Sequence, residues 1–356
     1  MGLLSLSLRQ FRCFDTADLE FSPYFNIIEG KNASGKTSLL EAAFLLSRGR
    51  SFRSPHLNDT TKLGSLGFQL RGCVTRGPGQ TIVELARYGG LIEAKAAGKP
   101  VENLGQLASV FPVQLLDGHT HQLISGGPKY RRQLMDWGAF HVEPEFLNVW
   151  RGYRRALKQR NAILRANGLE REITAWDIEL ATSGEKLHVL RKHYLDDFSP
   201  HAGEWAEETL GAQIVEFEYR RGWPEEERLL GALRDAVKRD RLLRATSVGP
   251  HRADLLIKLG GRPADEVVSR GQEKVLASAL LFAQADLYKR QTGLACTLLL
   301  DDLPAELDKE HLARLLQKVH EIGGQAIVTT ISPLPNELYR EAKVFHVEQG
   351  KIRTMV

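Results

Sequence analysis

Hydrophobic and polar positions alternate along the first residues of the chain, as expected for β-strands that each bury one face. The next apolar run, FNIIE, does not alternate and leads directly into the loop GKNASGKT. That loop is followed by SLLEAAFLLS, whose apolar residues have helical spacing. This order predicts two alternating strands, a buried strand, a loop and a helix. The alternating apolar positions are Leu4, Leu6, Leu8, Leu19 and Phe21.

The middle of the chain changes from strand patterning to helix patterning. Residues 67–101 are short alternating segments broken by Gly-Pro-Gly and Gly-Gly, which predicts β-hairpins in an antiparallel layer beside the loop. Residues 130–244 have charged faces and helical apolar spacing, without sustained heptads. We therefore expect a compact, mainly helical second lobe and no long coiled coil. The residues expected to interrupt the helices are Gly168, Pro200, Gly203, Gly211, Pro224 and Gly231.

The loop GKNASGKT fits the phosphate-binding pattern G-x-x-x-x-G-K-[ST], and it stands between a strand and a helix as that pattern requires. Backbone N–H groups of such a loop and helix start converge on phosphate oxygens. Lys36 is expected to reach the β- and γ-phosphates of ATP as a catalytic residue, and Thr37 to supply a hydroxyl to Mg²⁺. The predicted nucleotide-binding residues here are Gly30, Lys31, Asn32, Ala33, Ser34, Gly35, Lys36, Thr37 and Ser38.

A second motif, TLLLDD, lies far downstream of the loop and ends an apolar run with two carboxylates. Asp301 is expected at a strand end beside Mg²⁺, and Asp302 is expected to orient or deprotonate the attacking water. The separation from Lys36 is larger than in small P-loop kinases, so a large segment must be inserted into the nucleotide-binding domain. The predicted organisation is an α/β ATPase head, residues 1–128 and 246–356, with an inserted helical lobe, residues 129–245.

The segment SRGQ predicts a helix start that can bind an anion. Ser269 and Gln272 have the spacing of a capping box, and Gly271 leaves the backbone bare beside them. In ABC-type ATPases the matching S-x-G-Q signature acts in trans, on the nucleotide of the other subunit. Those proteins also carry a D-loop along the dimer interface, which predicts a role there for Asp308.

The net charge does not by itself predict a nucleic-acid partner, because 48 Lys and Arg residues are balanced by 44 Asp and Glu residues. A basic surface must therefore be local. The segment RGYRRALKQR places Arg151, Arg154, Arg155 and Lys158 along one flank of a predicted helix. A basic helix face is often only solvated, and the alternative predicted here is that this flank contacts DNA phosphates. No element typical of base reading is present in the sequence, so little sequence specificity is expected.

The cysteine pattern and the hydropathy of the sequence bear on the cellular compartment of the protein. Cys13, Cys73 and Cys296 lack CxxC spacing, which argues against a structural zinc site and a disulfide framework. This cysteine pattern favours a reducing cytoplasm. No run approaches the roughly 18 apolar residues of a membrane span, which argues against a transporter permease within this chain.

Several motifs together closely resemble the RecF family, bacterial recombination mediators of the ABC/SMC-like ATPase group, over nearly the whole chain. They are LRQFRCF, GKNASGKTSLLEA, GRSFRSP, GGPKYRRQLMDW, YRRALKQRNAIL, VGPHRADL, SRGQEKVL and LLLDDLPAELD. The resemblance implies an ABC-type head, an ATP-dependent homodimer, weak DNA-dependent ATP hydrolysis and binding of duplex and gapped DNA. It also implies action with RecR and RecO to load RecA at single-stranded gaps, in the cytoplasm at the nucleoid.

The resemblance assigns two further residues and exposes two departures. Gln114 falls where a Q-loop would contact Mg²⁺, and Thr329 falls at the switch position beside the nucleotide. Ala33 stands where many relatives have glycine, which matters only if the position needs a positive φ. Arg270, inside the signature, adds a charge near the expected γ-phosphate.

Three other classes share some of these motifs. The soluble ATPase subunit of an ABC transporter is disfavoured by the FRCF start, the aspartate pair and the helical insertion. A small-molecule phosphotransferase would leave SRGQ and the D-loop acids without a task. A non-hydrolysing DNA clamp differs from the leading hypothesis in that substitution of Asp302 would leave nucleotide turnover unchanged.

Overall fold

The chain divides into two compact units. The computed structural model describes residues 2–211, 214–302, 309–331, 333–334, 339–340 and 342–355. One unit, called the head here, comprises Met1–Thr120 and Gln284–Val356, and the other, called the lobe, comprises His121–Ala283. The lobe is thus inserted in the sequence of the head. It is longer at both ends than the predicted segment 129–245, because residues on either side of those limits pack on its helices.

Strands build most of the head, and those between residues 215 and 263 belong to the lobe. The described strands are β1 (Gly2–Phe11), β2 (Phe14–Glu20), β3 (Phe25–Glu29), β4 (Gly67–Arg76), β5 (Gly79–Tyr88), β6 (Leu91–Ala96), β7 (Lys99–Pro100), β8 (Val113–Leu116), β9 (Val215–Arg220), β10 (Asp254–Leu259), β11 (Arg262–Pro263), β12 (Thr297–Leu300), β13 (Ala326–Thr330), β14 (Ala342–Glu348) and β15 (Lys351–Met355).

Helices build most of the lobe. The described helices are α1 (Lys36–Arg48), α2 (Gly105–Val110), α3 (Gln122–Ser125), α4 (Pro128–Val142), α5 (Phe146–Arg165), α6 (Glu170–Leu210), α7 (Leu229–Asp235), α8 (Val237–Leu243), α9 (Ala264–Val267), α10 (Arg270–Thr292) and α11 (Lys309–Ile322).

An antiparallel sheet forms one layer of the head. Its strand order is β2-β1-β4-β5-β6-β7. The alternation in the sequence is reproduced in β1, where Leu6 and Leu8 are buried and Ser7 between them is partly exposed. The hairpins predicted for residues 67–101 are confirmed by β4 to β7, which pair as consecutive antiparallel strands.

A mainly parallel sheet forms the second layer of the head. Its order is β15-β14-β3-β13-β12-β8, and only the β14–β15 pair is antiparallel. Strands β12 and β13 are buried at every position, which explains why their sequences are largely apolar and show no alternation. Parallel strands end at a common edge, and the register aligns Leu300 of β12 with Leu116 of β8 and Val328 of β13. Side chains that follow these positions therefore meet at one edge.

Helix α1 connects the two layers into one core. It begins directly after the phosphate-binding loop, and Leu40 and Leu45 on its length are fully buried. They belong to a continuous cluster with Leu6 and Phe68 of the antiparallel sheet and Ile327 of the parallel sheet. Burial of an apolar side chain of this size contributes about 1.5–3 kcal/mol, so this cluster fixes the loop ahead of α1.

The lobe is a helical hairpin of α5 and α6 with a small sheet of order β11-β10-β9. The expectation that Pro200 and Gly203 interrupt the helices was wrong, because α6 continues through both to Leu210 and ends at Gly211 with φ 77°. Proline removes one backbone hydrogen bond. The buried Phe198 and Ala202 on either side of it keep the helix packed against the lobe.

A buried ionic cluster ties three helices of the lobe together. Arg160 of α5 donates from Nε to Asp177 Oδ1 of α6 at 2.6 Å and from Nη1 to Asp240 Oδ2 of α8 at 2.5 Å. All three side chains are at most 1% exposed. Such a cluster contributes little net stability while intact, but removing one partner leaves a buried charge uncompensated.

His251, whose segment GPHRADL is one of the family motifs, is a structural bridge within the lobe. Its Nε2 lies 2.9 Å from the carbonyl of Thr246, which can only accept, so Nε2 carries the proton. Nδ1 then accepts the hydroxyl proton of Tyr153 at 2.6 Å. Burial lowers the pKa of His251 to about 4, so the ring is neutral in the folded protein at neutral pH.

Candidate functional site

The phosphate-binding loop is held in a left-handed backbone conformation at three positions. Gly30, Ala33 and Gly35 have φ values of 156°, 61° and 118°. A Cβ on Gly30 would lie 2.3 Å from the carbonyl oxygen of Val347, and one on Gly35 would lie 2.8 Å from Cys13 Sγ. Both glycines are therefore required inside the head itself. Ala33 does occupy a positive-φ position, at a cost of roughly 1–2 kcal/mol relative to a right-handed one.

Lys36 is folded back into its own loop. Its Nζ donates to the carbonyl oxygens of Gly30 at 2.7 Å and Lys31 at 3.0 Å, and the side chain is 6% exposed. Burial lowers the pKa of Lys36, while the nearby carboxylates of Asp302 and Asp301 oppose that shift. An ammonium group held by neutral carbonyl oxygens is ready to exchange them for phosphate oxygens.

Two hydroxyl groups of the loop, those of Thr37 and Ser34, are also suited to bind a nucleotide with a magnesium ion. Thr37 Oγ1 donates to Asp301 Oδ1 at 2.9 Å, so its lone pairs remain oriented away from the carboxylate. Ser34 Oγ is buried and has no hydrogen-bond partner within the described residues. Magnesium typically takes one or two protein oxygens and completes its shell with phosphate and water. Thr37 and Asp301 fit that requirement.

The two aspartates lie at the edge where the parallel strands end. Asp301 follows β12 directly, and its N–H donates to the carbonyl of Leu116 at 2.8 Å. Asp302 comes next with φ 50°. Its N–H donates to Thr329 Oγ1 at 2.8 Å, and Thr329 Oγ1 donates to Asp301 Oδ1 at 2.7 Å. The structure therefore brings Lys36, Thr37, the aspartate pair and Thr329 together, as their assignment to one site requires.

Gln114 does not reach this edge. It lies inside β8, 4% exposed, and its amide donates to Gln284 Oε1 at 3.2 Å. The register that aligns Leu300 with Leu116 instead places Asp117 beside Asp301. Burial raises the pKa of Asp117, and the charge of Asp301 adds to the shift.

Asp117 is the site residue that the sequence interpretation missed. Its signal was available, because VQLLD repeats the arrangement of LLLDD, an apolar strand that ends in an acid. Its Oδ1 accepts the N–H of His119 at 2.9 Å, so it also shapes the turn after β8.

The signature helix α10 begins with the predicted capping box. The N–H of Ser269 donates to Gln272 Oε1 at 2.9 Å, and the N–H of Gln272 donates to Ser269 Oγ at 3.3 Å. Gly271 has open space around it, since a Cβ there would meet only Ser269 Oγ, at 4.0 Å. Arg270 is exposed at the first helical position. Asp308 lies outside the described residues.

The predicted DNA-binding residues share the exposed side of α5 but differ in their partners. Arg155 is paired with Glu179 at 2.5 Å. Arg154 lies over the ring of Trp150, with 5.5 Å between its guanidinium carbon and the ring centroid. These residues and Lys158 line a groove of about 600 Å³. Arg151 is exposed on the same helix.

Comparison with known proteins identifies the family. Residues 5–87 match the AAA domain model. The DNA replication and repair proteins RecF of Shewanella sp. (strain W3-18-1) and Edwardsiella ictaluri are 38% and 36% identical to this chain, each over 99% of both chains. The chain belongs to the RecF family.

Solved structures agree with membership in the RecF family. The recombination mediator protein RecF-ATP of the RecFOR pathway aligns with a TM-score of 0.90 at 26% identity, covering 99% of this chain and 97% of that one. The Smc head bound to the C-winged helix domain of ScpA aligns with a TM-score of 0.62 at 16% identity, covering 100% and 97%. The second likeness concerns the fold alone, and together they confirm the expected ABC-type head with a helical insertion.

Membrane-spanning helices and clusters of metal-binding side chains were also sought among the described residues. No helix among the described residues combines the length and apolarity that a membrane crossing needs. Within the same residues no group of three or more His, Cys, Asp or Glu side chains is arranged to hold a metal.

Proposed function

We propose that this chain is an ATP-switched, DNA-binding ATPase of recombinational repair that works as a homodimer. The observation that carries its nucleotide chemistry is the convergence of Lys36, Thr37, Asp301 and Asp302 at one sheet edge. Lys36 would bind the β- and γ-phosphates, while Thr37 and Asp301 would hold Mg²⁺, which neutralises phosphate charge. Asp302 would orient or deprotonate the attacking water. The remaining loop residues would bind phosphate through backbone N–H groups.

The second half of the site is proposed to come from another copy of the chain. Glycine at the second position of a helix costs about 0.5–1 kcal/mol relative to alanine. Gly30 and Gly35 are required by contacts inside the head, whereas Gly271 has no such contact. A ligand that approaches the bare N-terminus of α10 would explain why glycine stands at position 271. Ser269, Arg270, Gly271 and Gln272 would then close over the γ-phosphate held by the partner, with Asp308 at the same interface.

DNA is the proposed ligand of the closed dimer. Arg151, Arg154 and Lys158 have no carboxylate partner among the described residues, in contrast to Arg155. Unpaired cations along one helix face bind phosphates without reading sequence. Duplex and gapped DNA are the expected substrates.

The names of the relatives support a role in DNA replication and repair, and RecF-ATP is described as a recombination mediator. We infer that ATP holds the dimer on DNA and that slow, DNA-dependent hydrolysis releases it. Recruitment of RecR and RecO and loading of RecA at gaps in the cytoplasm would follow from family membership.

Light scattering after gel filtration tests the dimer. The wild type is expected to dimerise with ATP and DNA and to be monomeric with ADP. Lys36→Arg should fail to dimerise because phosphate binding is impaired. Ser269→Arg should retain ATP binding but lose dimerisation, which is specific to a site completed in trans. A wild-type monomer in every nucleotide state would refute the proposal.

Turnover separates this function from a non-hydrolysing clamp. Asp302→Asn removes the proposed base and keeps the size of the side chain. We expect ATP-dependent dimers of this variant to persist after the wild-type dimers have dissociated. Equal turnover in the two proteins would favour the clamp or another base.

A further inference from the structure

The hydroxyl of Thr329 links the two aspartates of the site. Thr329 lies in β13, between the phosphate-loop strand β3 and the aspartate strand β12, and is fully buried. A backbone N–H can only donate, so the Thr329 oxygen accepts from Asp302 at 2.8 Å. The single hydroxyl proton is then directed to Asp301 Oδ1 at 2.7 Å. The direction of both bonds is therefore fixed.

This arrangement is incompatible with a direct phosphate contact through the same hydroxyl. A threonine hydroxyl has one proton, and here Asp301 receives it. A phosphate oxygen is also an acceptor, so it would have to displace Asp301 to bind. Thr329 would therefore act through its neighbours and not on the nucleotide.

The bond to Asp302 holds an unusual backbone conformation. Asp302 has φ 50°, in the left-handed region that disfavours residues with a Cβ. The position follows a regular strand, so the chain turns sharply at the point where the proposed base stands. Without the Thr329 hydroxyl, the N–H of Asp302 loses the acceptor that helps to hold this conformation ahead of the carboxylate.

We propose that Thr329 is a positioning residue for ATP hydrolysis. Its hydroxyl fixes the backbone of Asp302 and, together with Thr37, the orientation of the Asp301 carboxylate, since both hydroxyls donate to the same Oδ1. The inference rests on the proposed function and goes beyond it, because it assigns Thr329 to the catalytic step and not to nucleotide binding.

The test compares Thr329→Val, which keeps the shape and removes the hydroxyl, with Thr329→Ser, which keeps the hydroxyl. Single-turnover hydrolysis and the Kd of a fluorescent ATP analogue are measured on the full chain with magnesium and DNA. The valine variant should hydrolyse ATP about 10- to 100-fold more slowly, the order of loss caused by a displacement near 1 Å. Its Kd should stay within about twofold of wild type, since Lys36 and the loop are intact. Serine should restore most of the rate.

A matched control is Thr297→Val. Thr297 is another fully buried threonine of the same sheet, at the opposite end of β12, and its hydroxyl lies 3.3 Å from Gln325 Oε1. This variant also loses a buried threonine hydrogen bond, here a single longer one to a neutral amide oxygen, and should keep the wild-type rate. Equal slowing in Thr297→Val and Thr329→Val would reduce the role of Thr329 to stability and overturn the proposal.

Two further outcomes would also overturn it. A wild-type rate in Thr329→Val would show that the hydroxyl positions nothing, and a rate loss that comes from weaker ATP binding would show a direct phosphate contact. Failure of the proposed function is recognised separately, because Asp302→Asn and the wild type would then have the same turnover in the same assay. In that case the proposal is overturned together with the proposed function, because no hydrolysis step that depends on Asp302 would exist for Thr329 to position.

Discussion

Replacing Gly271 with alanine separates the stability of helix α10 from its proposed role in a partner's site. The added methyl group meets only Ser269 Oγ, at 4.0 Å, so it strains nothing within the chain. Alanine also favours the helix by about 0.5–1 kcal/mol. We therefore expect the thermal unfolding midpoint of the nucleotide-free protein to stay constant or to rise by up to about 2–4 °C.

The same methyl group should be costly in the ATP-bound dimer. It would stand where phosphate oxygens approach the backbone N–H groups, and losing one hydrogen bond to a charged group costs about 1.5–3 kcal/mol. A symmetric dimer contains two such sites, so the total is about 3–6 kcal/mol. Because about 1.4 kcal/mol corresponds to a tenfold change, ATP-dependent dimerisation should weaken by about two to four orders of magnitude.

Sedimentation equilibrium with ATP, magnesium and DNA measures the dimer dissociation constant, and differential scanning calorimetry measures the midpoint. Gly231→Ala is the matched control, since Gly231 also lies near the start of a helix, α7, with open space around it. It should gain helix stability and leave dimerisation unchanged. Wild-type dimerisation in Gly271→Ala would refute the argument that this glycine serves a ligand held by another chain.

Three other predictions concern the lobe. Arg160→Met should lower the free energy of unfolding in urea by about 3–5 kcal/mol, because two buried aspartates lose their cation. His251 has a pKa near 4 when folded and an ordinary one when unfolded, so the unfolded chain binds more protons between about pH 6.5 and 4. Stability should fall across that window by up to about 3 kcal/mol as the pH decreases, and His251→Gln should flatten the fall. Arg154→Ala should reduce the log–log salt slope of duplex DNA binding by about 0.9, whereas Arg155→Ala, whose guanidinium is already paired with Glu179, should change it less.

The phosphate-binding loop was predictable because its requirements are local. Gly30 and Gly35 are needed for backbone conformations that few other residues adopt, and Lys36 and Thr37 follow at fixed positions. A pattern set by backbone geometry within eight residues survives in any fold that supplies a strand and a helix around it. The capping box of Ser269 and Gln272 was predictable for the same reason.

Positions that depend on distant partners were less predictable. Pro200 ends many helices, but here buried side chains on the same helix keep α6 continuous, and a single-sequence pattern does not contain that packing. Gln114 was placed by its motif, while the register of β8 with β12 decides which residue of that segment reaches the edge. That residue is Asp117. Strand register is a property of two segments and cannot be taken from one of them.

For Thr329 the sequence predicted a place beside the nucleotide, and we propose a role other than nucleotide binding. The sequence placed it beside the nucleotide site, and the structure brings it there, but its hydroxyl is occupied by Asp301 and Asp302. The proposed role rests on the number of donors and acceptors, because one proton cannot serve a carboxylate and a phosphate together. Gly271 is the opposite case, because no contact within the chain requires glycine there, and we propose that a ligand held by another chain does. We therefore propose a site of two halves: the half within one head is already bonded internally, and the signature half, which is capped, would stay open until a second chain approaches.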